Sequence, residues 1–393
     1  MKALEFERNE GRYAAAAIAS RVLPGSGAKV GPLRLVDIDP PELPGEGWVY
    51  VLPRLSGICG SDLSTVEGRS SPYFEPYVSF PFVPGHEVVG ELEDGTRVIL
   101  EPVLGHSARG FEPPFPGAAP GDGDDYRHLV SGSLEPGIQV GFCASTGGGW
   151  STRFAAHESL LRPVPDSMDD EMAVVIEPAA GGVHAALRAG VQPSSTVVVY
   201  GAGTMGLVTI AALRHLTSPG TLVAVAKYPR QKELAADFGA DLVVEPAEAA
   251  RAIRRVTGSF LIGDDQLSGG ADAVVDAVGN ARSIAAAIGL ARPRGRVIML
   301  GMPGVVRIDL TALWHRETEL VGAYTYGTEV LADGRQAKAF DVAIEVAQQF
   351  GLDRIVSAHY PLDRYAEALA HAAEAGRRGG VKVVFDMRDE KRR

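Results

Sequence analysis

Val197-Val198-Val199-Tyr200-Gly201-Ala202-Gly203-Thr204-Met205-Gly206 is the stretch that decides how this chain folds. Four apolar or aromatic residues in a row read as a short strand buried on both faces, as in a parallel sheet. The strand runs straight into Gly201-x-Gly203-x-x-Gly206, and a segment with helical periodicity follows to Leu216. Glycines at this spacing are common by chance; between a strand and a helix they have a mechanical meaning. The first permits a sharp turn, the second lets backbone approach a pyrophosphate, and the third allows close helix–strand packing. The helix start then offers free N–H groups and the positive end of its dipole to the anion. Gly201, Gly203, Thr204, Met205 and Gly206 are therefore candidate dinucleotide contacts. The plain alternative is a tight turn without a ligand, and the strand–helix series around it argues against that.

The series is long. Apolar runs at 222–226, 242–244, 273–275 and 297–300 alternate with helical segments such as 231–238, and 319–324 adds a last strand. Strands apolar on both faces with helices between them indicate an α/β, doubly wound parallel sheet. The second strand ends in Ala226-Lys227-Tyr228-Pro229-Arg230. An acid there would bind ribose hydroxyls and repel a 2′-phosphate. Here the turn is neutral and then basic, so Lys227 and Arg230 could clamp a 2′-phosphate while Tyr228 lies against adenine. That favours NADP over NAD; a solvated basic turn is the alternative. In such sheets ligands bind at the carboxyl ends of the strands. Val278-Gly279 and Gly301-Met302 follow later strands and stand where a nicotinamide would lie.

The amino-terminal part, to about residue 165, is rich in Gly and Pro. Its short β-prone runs, such as Trp48-Val49-Tyr50-Val51 and Arg97-Val98-Ile99-Leu100, suggest an irregular antiparallel barrel or sandwich. Residues 110–137 hold Pro113, Pro114, Pro116 and Pro120 and the acids Asp122, Asp124 and Asp125, and read as a long surface loop without a core. The tail reads as helices at 340–350 and 364–374, a strand at 381–385, and a solvated charged end from Arg388 to Arg393. A net charge of −11 excludes a non-specific nucleic-acid binder, which needs cations to neutralise phosphates. No apolar run is long enough to span a bilayer, and the Ala14–Ala19 run is cut off by Arg21. The first residues lack a secretion signal, and two cysteines, Cys59 and Cys143, build no disulfide framework. A cytoplasmic protein with no membrane or nucleic-acid partner is expected.

Two further motifs carry chemistry. Gly57-Ile58-Cys59-Gly60-Ser61-Asp62 sets a cysteine in a Gly-flanked turn beside a hydroxyl and a carboxylate. Gly85-His86-Glu87 follows, and Ile176-Glu177-Pro178 supplies another carboxylate ahead of the glycine loop. Thiolate and imidazole together suit a borderline-soft metal such as zinc. Each residue also has an ordinary reading, as a small buried cysteine, a satisfied core histidine or a helix N-terminal carboxylate. On residue chemistry alone, metal binding stays open.

Together with Glu177-Pro178, followed by Gly182-Val183-His184-Ala185, and the Gly201–Gly206 loop, these motifs resemble the zinc-type medium-chain dehydrogenase/reductase family. This is the superfamily of zinc alcohol, sorbitol and threonine dehydrogenases, and the resemblance covers nearly the whole chain. It implies a GroES-like β-rich catalytic domain at 1–185, a Rossmann dinucleotide-binding domain at 186–323, and a return segment at 324–393 that completes the first. It implies one catalytic zinc on Cys59, His86 and Glu177, with the glutamate matching the polyol-type members. Glu87 is then a near neighbour of the metal or a transient ligand. Asp62 matches the carboxylate that orients His86, and Ser61 the hydroxyl that hands the substrate proton onward. Lys382 matches a basic position that contacts the cofactor pyrophosphate. The implied reaction is hydride transfer between a nicotinamide cofactor and an alcohol or carbonyl, with a secondary alcohol or polyol-like compound as substrate. Relatives are dimers or tetramers, so a homodimer or homotetramer is expected.

Two departures from the family pattern stand out. The four closely spaced cysteines of a structural zinc lobe are missing, and residues 110–137 stand there instead, so no structural zinc is expected. His106 and His128 lie nearby as ordinary loop residues. Ser64 occupies the place where many relatives carry a proton-relaying histidine; a serine with water could still relay. Cys143 reads as a packed thiol. Tyr73, Phe74, Phe142, Trp150, Tyr324 and Tyr326 are pocket candidates that could equally be core. Rival readings are a zinc-free quinone or enoyl reductase of the same superfamily, and a nicotinamide-binding redox sensor without turnover.

Overall fold

The computed structural model describes residues 1–263 and 266–389; residues 390–393 of the charged end lie outside the described residues. The chain forms two compact units, Met1–Glu177 with Val356–Arg393, and Pro178–Ile355.

The second unit is built on six strands: β1 (Thr196–Tyr200), β2 (Thr221–Val225), β3 (Leu242–Val244), β4 (Ala271–Asp276), β5 (Ala291–Met299) and β6 (Glu319–Gly322). They pair in parallel in the order β3-β2-β1-β4-β5-β6. The order reverses between β1 and β4, which is where a doubly wound sheet opens its ligand crevice. The valines of β1 are fully buried, as are Leu222, Val223 and Ala224 of β2, so the apolar runs do cover both faces. Helices Thr204–Leu216, Pro229–Asp237, Ala249–Thr257 and Ala281–Leu290 connect the strands.

This unit extends further along the chain than the expected 186–323. It begins at Pro178, and residues 324–355, expected with the first unit, belong to it. Helix Ala339–Phe350 packs on Thr204–Leu216, burying Phe340, Ala343, Val346 and Ala347. A hairpin of Thr328–Val330 and Gln336–Lys338 precedes that helix, and Glu329 meets His184 Nδ1 at 2.6 Å.

In the first unit, strands Val356–Tyr360, Lys382–Asp386, Trp48–Gly57, Val88–Glu91, Arg97–Leu100 and Leu161–Pro163 follow one another across a sheet. All neighbours are antiparallel except the first pair. Phe154–His157 pairs with the other half of Trp48–Gly57. One core gathers Phe6, Phe82, Phe142, Trp150 and Phe385, and another Trp48, Val51, Val88, Leu100 and Phe154. Trp150 meets Phe385 edge-on at 5.1 Å, an arrangement worth about 0.5–1.5 kcal/mol beyond its burial. Helix Glu10–Val22 interrupts the hairpin of Lys2–Phe6 and Leu33–Asp37; the short alanine run alone did not reveal it. Asn9 caps it, accepting from the Arg12 N–H at 3.0 Å.

Residues 110–137 are not the coreless surface loop expected. Ala119, His128, Leu129 and Leu134 are buried, and so is Arg109 at their edge. The Arg109 guanidinium donates to the carbonyls of Ser131 (3.2 Å), Leu134 (3.4 Å), Glu135 (3.2 Å) and Gly137 (2.7 Å). Backbone carbonyls converging on one cation organise the segment, whose regular structure is the short 3-10 helix Arg127–Val130. The rings of His106 and His128 stack at 3.9 Å, and Cys143 is a packed thiol whose Sγ donates to the Glu135 carbonyl at 3.4 Å. Arg388 departs from the solvated end as well, pairing with Asp386 and with Glu171 at 3.1 Å.

Candidate active site

Strand Trp48–Gly57 turns through Ile58 into the short helix Gly60–Val66, and Cys59 is its N-cap. Asp62 sits three residues into the turn and accepts the Cys59 N–H at 3.0 Å, reciprocal capping that fixes the thiol's position. The other Asp62 oxygen lies 3.4 Å from His86 Nδ1, with both side chains buried. His86 Nε2 is thereby turned the other way, 3.5 Å from the Ser61 hydroxyl. Burial opposes a charge on His86, but Asp62 and Cys59 outweigh it and raise the imidazole's pKa well above its ordinary value. Phe142 flanks the same ring at 5.9 Å. Ser64 is half-buried on the same helix, its carbonyl accepting the Arg69 N–H at 2.8 Å.

The donor atoms of Cys59, His86 and Glu87 all fall within 4.8 Å of one another. Sulfur, imidazole nitrogen and carboxylate oxygen form a donor set that fits zinc. The expected third member was Glu177; it lies in the first turn of helix Ile176–Arg188, outside that cluster. Glu87 is instead ion-paired with Lys382, and both are buried. Lys382 also donates to the Ile58 carbonyl at 3.2 Å. Burial works against its ammonium, but Glu87, Cys59 and Glu177 hold its pKa above the usual lysine value. The structure thus places Lys382 inside the first unit beside the metal-ligand candidates, and this pairing carried no local sequence signal. Gly57 makes the arrangement possible: a Cβ there would overlap the Glu87 carboxylate.

In the second unit the glycine loop joins β1 to helix Thr204–Leu216. Gly203 is the N-cap of Thr204–Leu216 with no side-chain cap, and nothing lies within 4 Å of where its Cβ would be. The first turn's N–H groups thus have no capping side chain, as an anion site requires. A Cβ at Gly206 would overlap the Gly201 carbonyl oxygen, so helix and turn meet only through glycine. Thr204 and Met205 open the helix. Tyr228 caps the helix after β2, and the exposed Lys227 sets its ammonium 5.5 Å from the Tyr228 ring. Arg230 is engaged locally, 3.0 Å from Glu233 and donating to the Arg354 carbonyl at 3.3 Å. Val278-Gly279 and Gly301-Met302 stand at the carboxyl ends of β4 and β5. Of the pocket candidates, Trp150 and Tyr326 are buried in the cores, while Tyr73 and Tyr324 are exposed. No helix among the described residues is long and apolar enough to cross a membrane.

Two family models match the chain, a zinc-binding dehydrogenase model over residues 204–338 and an alcohol dehydrogenase GroES-like domain model over residues 45–166. Sorbitol dehydrogenase of Ovis aries is 27% identical over 365 residues, 90% of this chain and 93% of the relative. A probable D-xylulose reductase A of Aspergillus terreus is 29% identical over 315 residues, 75% of this chain and 83% of the relative. The crystal structure of 2R,3R-butanediol dehydrogenase from Bacillus subtilis aligns with a TM-score of 0.68 at 21% identity, covering 98% of this chain and 99% of the other. A nucleotide-type sheet and a β-rich unit carrying a thiolate–imidazole–carboxylate cluster define a class: nicotinamide-dependent dehydrogenases that work with a metal. Within that class, the chain belongs to the zinc-type medium-chain dehydrogenase/reductase family. It is an oxidoreductase that exchanges hydride between a nicotinamide cofactor and an alcohol or carbonyl.

Proposed function

We propose that the substrate is a secondary alcohol of polyol type, interconverted with its ketone, and that NADP(H) is the preferred cofactor. The observation that carries the reading is the Cys59–His86–Glu87 cluster with the Ser61 hydroxyl at its edge. Cys59 and His86 would hold one zinc per chain, completed by a carboxylate. Glu87 has its donor atom within the cluster, and Glu177 is the carboxylate that the family resemblance implies. Bound there, zinc supplies Lewis acidity that eases loss of the hydroxyl proton or polarises a carbonyl. The protein's own residues do the rest. Asp62 fixes the His86 ring through Nδ1, Ser61 Oγ takes up the substrate proton, and the half-buried Ser64 is one turn away to pass it on with water. Lys382 holds Glu87 in place.

The polyol reading is supported by the sorbitol and xylulose relatives. The NADP reading rests on Ala226 in place of an acid and on Lys227 and Arg230 beside it. Gly201, Gly203, Thr204, Met205 and Gly206 would cradle the pyrophosphate, with Val278, Gly279, Gly301 and Met302 along the nicotinamide. We also propose a homodimer or homotetramer. Strand β6 is the last of its sheet, and Leu320 on it and Trp314 just before it are exposed.

The test is a panel of alcohols and polyols, read at nicotinamide absorbance with each cofactor, before and after chelation. Turnover of secondary polyols, faster with NADP, lost on chelation and restored by zinc, is expected. Full activity after metal removal would overturn the metal site, and a preference for NAD the cofactor assignment.

A further inference from the structure

Strand β4 ends on Asp276, an acid completing the otherwise apolar run Ala273-Val274-Val275. It is 0% exposed, and among the described residues no cation pairs with it. An isolated buried carboxylate is costly unless its oxygens are fully engaged. Here they are. One oxygen accepts the N–H groups of Val278 (2.9 Å) and Gly279 (3.2 Å), and the other accepts the Ser283 hydroxyl at 2.9 Å. The Asp276 carbonyl accepts the N–H groups of Leu300 (3.0 Å) and Gly301 (2.8 Å). The turn after β4 and the turn after β5 touch backbone to backbone, since a Cβ on Gly279 would run into the Gly301 carbonyl oxygen. One residue therefore ties together the two turns at the carboxyl ends of β4 and β5. A valine in its place would extend the apolar strand but leave two N–H groups of the first turn without acceptors.

We propose that Asp276 is a positioning residue that holds the wall for the nicotinamide half of the dinucleotide, acting through the Val278–Gly279 turn. The proposal rests on the nucleotide reading given above. It separates the dinucleotide into halves: the glycine loop and the turn after β2 serve pyrophosphate and adenosine, and Asp276 serves the other end.

The experiment measures, by calorimetry on the full chain, binding of NADPH and of 2′-phospho-ADP-ribose, which lacks the nicotinamide. Asp276→Ala should weaken NADPH binding about tenfold, the scale of one or two lost hydrogen bonds, and leave 2′-phospho-ADP-ribose unchanged. Asp276→Asn keeps an oxygen for both N–H groups and an amide that can donate to the Ser283 hydroxyl, so it should restore NADPH binding. Ser283→Ala removes a single partner and should show the same selectivity at smaller size, which decides the matter if Asp276→Ala does not fold. Equal weakening of both ligands, or no weakening of either, overturns the proposal. A wild-type protein that binds neither ligand overturns the NADP preference alone, and the same comparison is then read with NADH and ADP-ribose; binding of none of the four overturns the nucleotide reading and the proposal with it.

Discussion

Ser61, at 3.5 Å from His86 Nε2, is placed to exchange a proton at the metal cluster without being one of its donors. Ser61→Ala should lower kcat about a hundredfold or more, a general acid–base effect, while zinc content and cofactor affinity stay at the wild-type level. Unchanged turnover under conditions where chemistry limits the rate would contradict the role. The two glutamates separate by a different pair of measurements. Glu87→Gln leaves the buried Lys382 ammonium without its carboxylate, and losing one member of a buried pair costs about 3–5 kcal/mol. Its metal-free form should therefore melt well below wild type. Glu177→Gln should lose less stability than Glu87→Gln but retain less zinc by elemental analysis; zinc retained in full would give the ligand's place to Glu87 alone. Cys59, Ser61 and Asp62 were legible in the sequence because one turn and helix cap place them as neighbours, and His86 because Gly85-His86-Glu87 sets an imidazole beside a carboxylate. The pairing of Glu87 with Lys382 was not, because no local pattern joins two residues so far apart in the chain. Asp276 did leave a trace, as an acid ending an apolar strand just before Val278-Gly279.

Elements of the nucleotide unit were legible almost strand by strand, since parallel strands buried on both faces have an unmistakable composition. Helix Glu10–Val22 was missed because its alanine run looked short without weight given to the Asn9 cap. The segment at 110–137 was read as a long surface loop without a core, and it has an interior and one short 3-10 helix, Arg127–Val130. Proline and aspartate report on the backbone, whereas the interior depends on Arg109 collecting carbonyls. That segment has a pH signature. Burial first, and the neighbouring His106 next, lower the His128 pKa from 6.5 to about 4. Between those values the unfolded chain binds a proton that the folded chain refuses, so stability is whole above pH 6.5 and declines towards pH 4. Thermal midpoints should fall across this window, and less steeply in His128→Gln than in wild type. Equal slopes would mean that His128 titrates alike in both states.

At the scale of the whole molecule, the two-unit plan was legible but its seams were not. The crossings fall at Glu177/Pro178 and Ile355/Val356, because helix Ala339–Phe350 finds its apolar partner on the nucleotide side. Composition does not show which of two cores a helix will join. The later crossing has a consequence for how the protein is made. Strand Lys382–Asp386 pairs with Trp48–Gly57, setting Val384 opposite Gly57 and Phe385 opposite Ser56. A ribosome delivers those two strands far apart in time, with all of Pro178–Ile355 emerging between them. Until the final strand arrives, the nascent chain carries an open sheet edge at Leu55, Ser56 and Gly57, and Glu87 has no ammonium beside it. The nucleotide unit can fold while translation continues. The metal-binding unit must wait for strand Lys382–Asp386 to emerge, and its exposed edge is what a chaperone would have to guard in the interval.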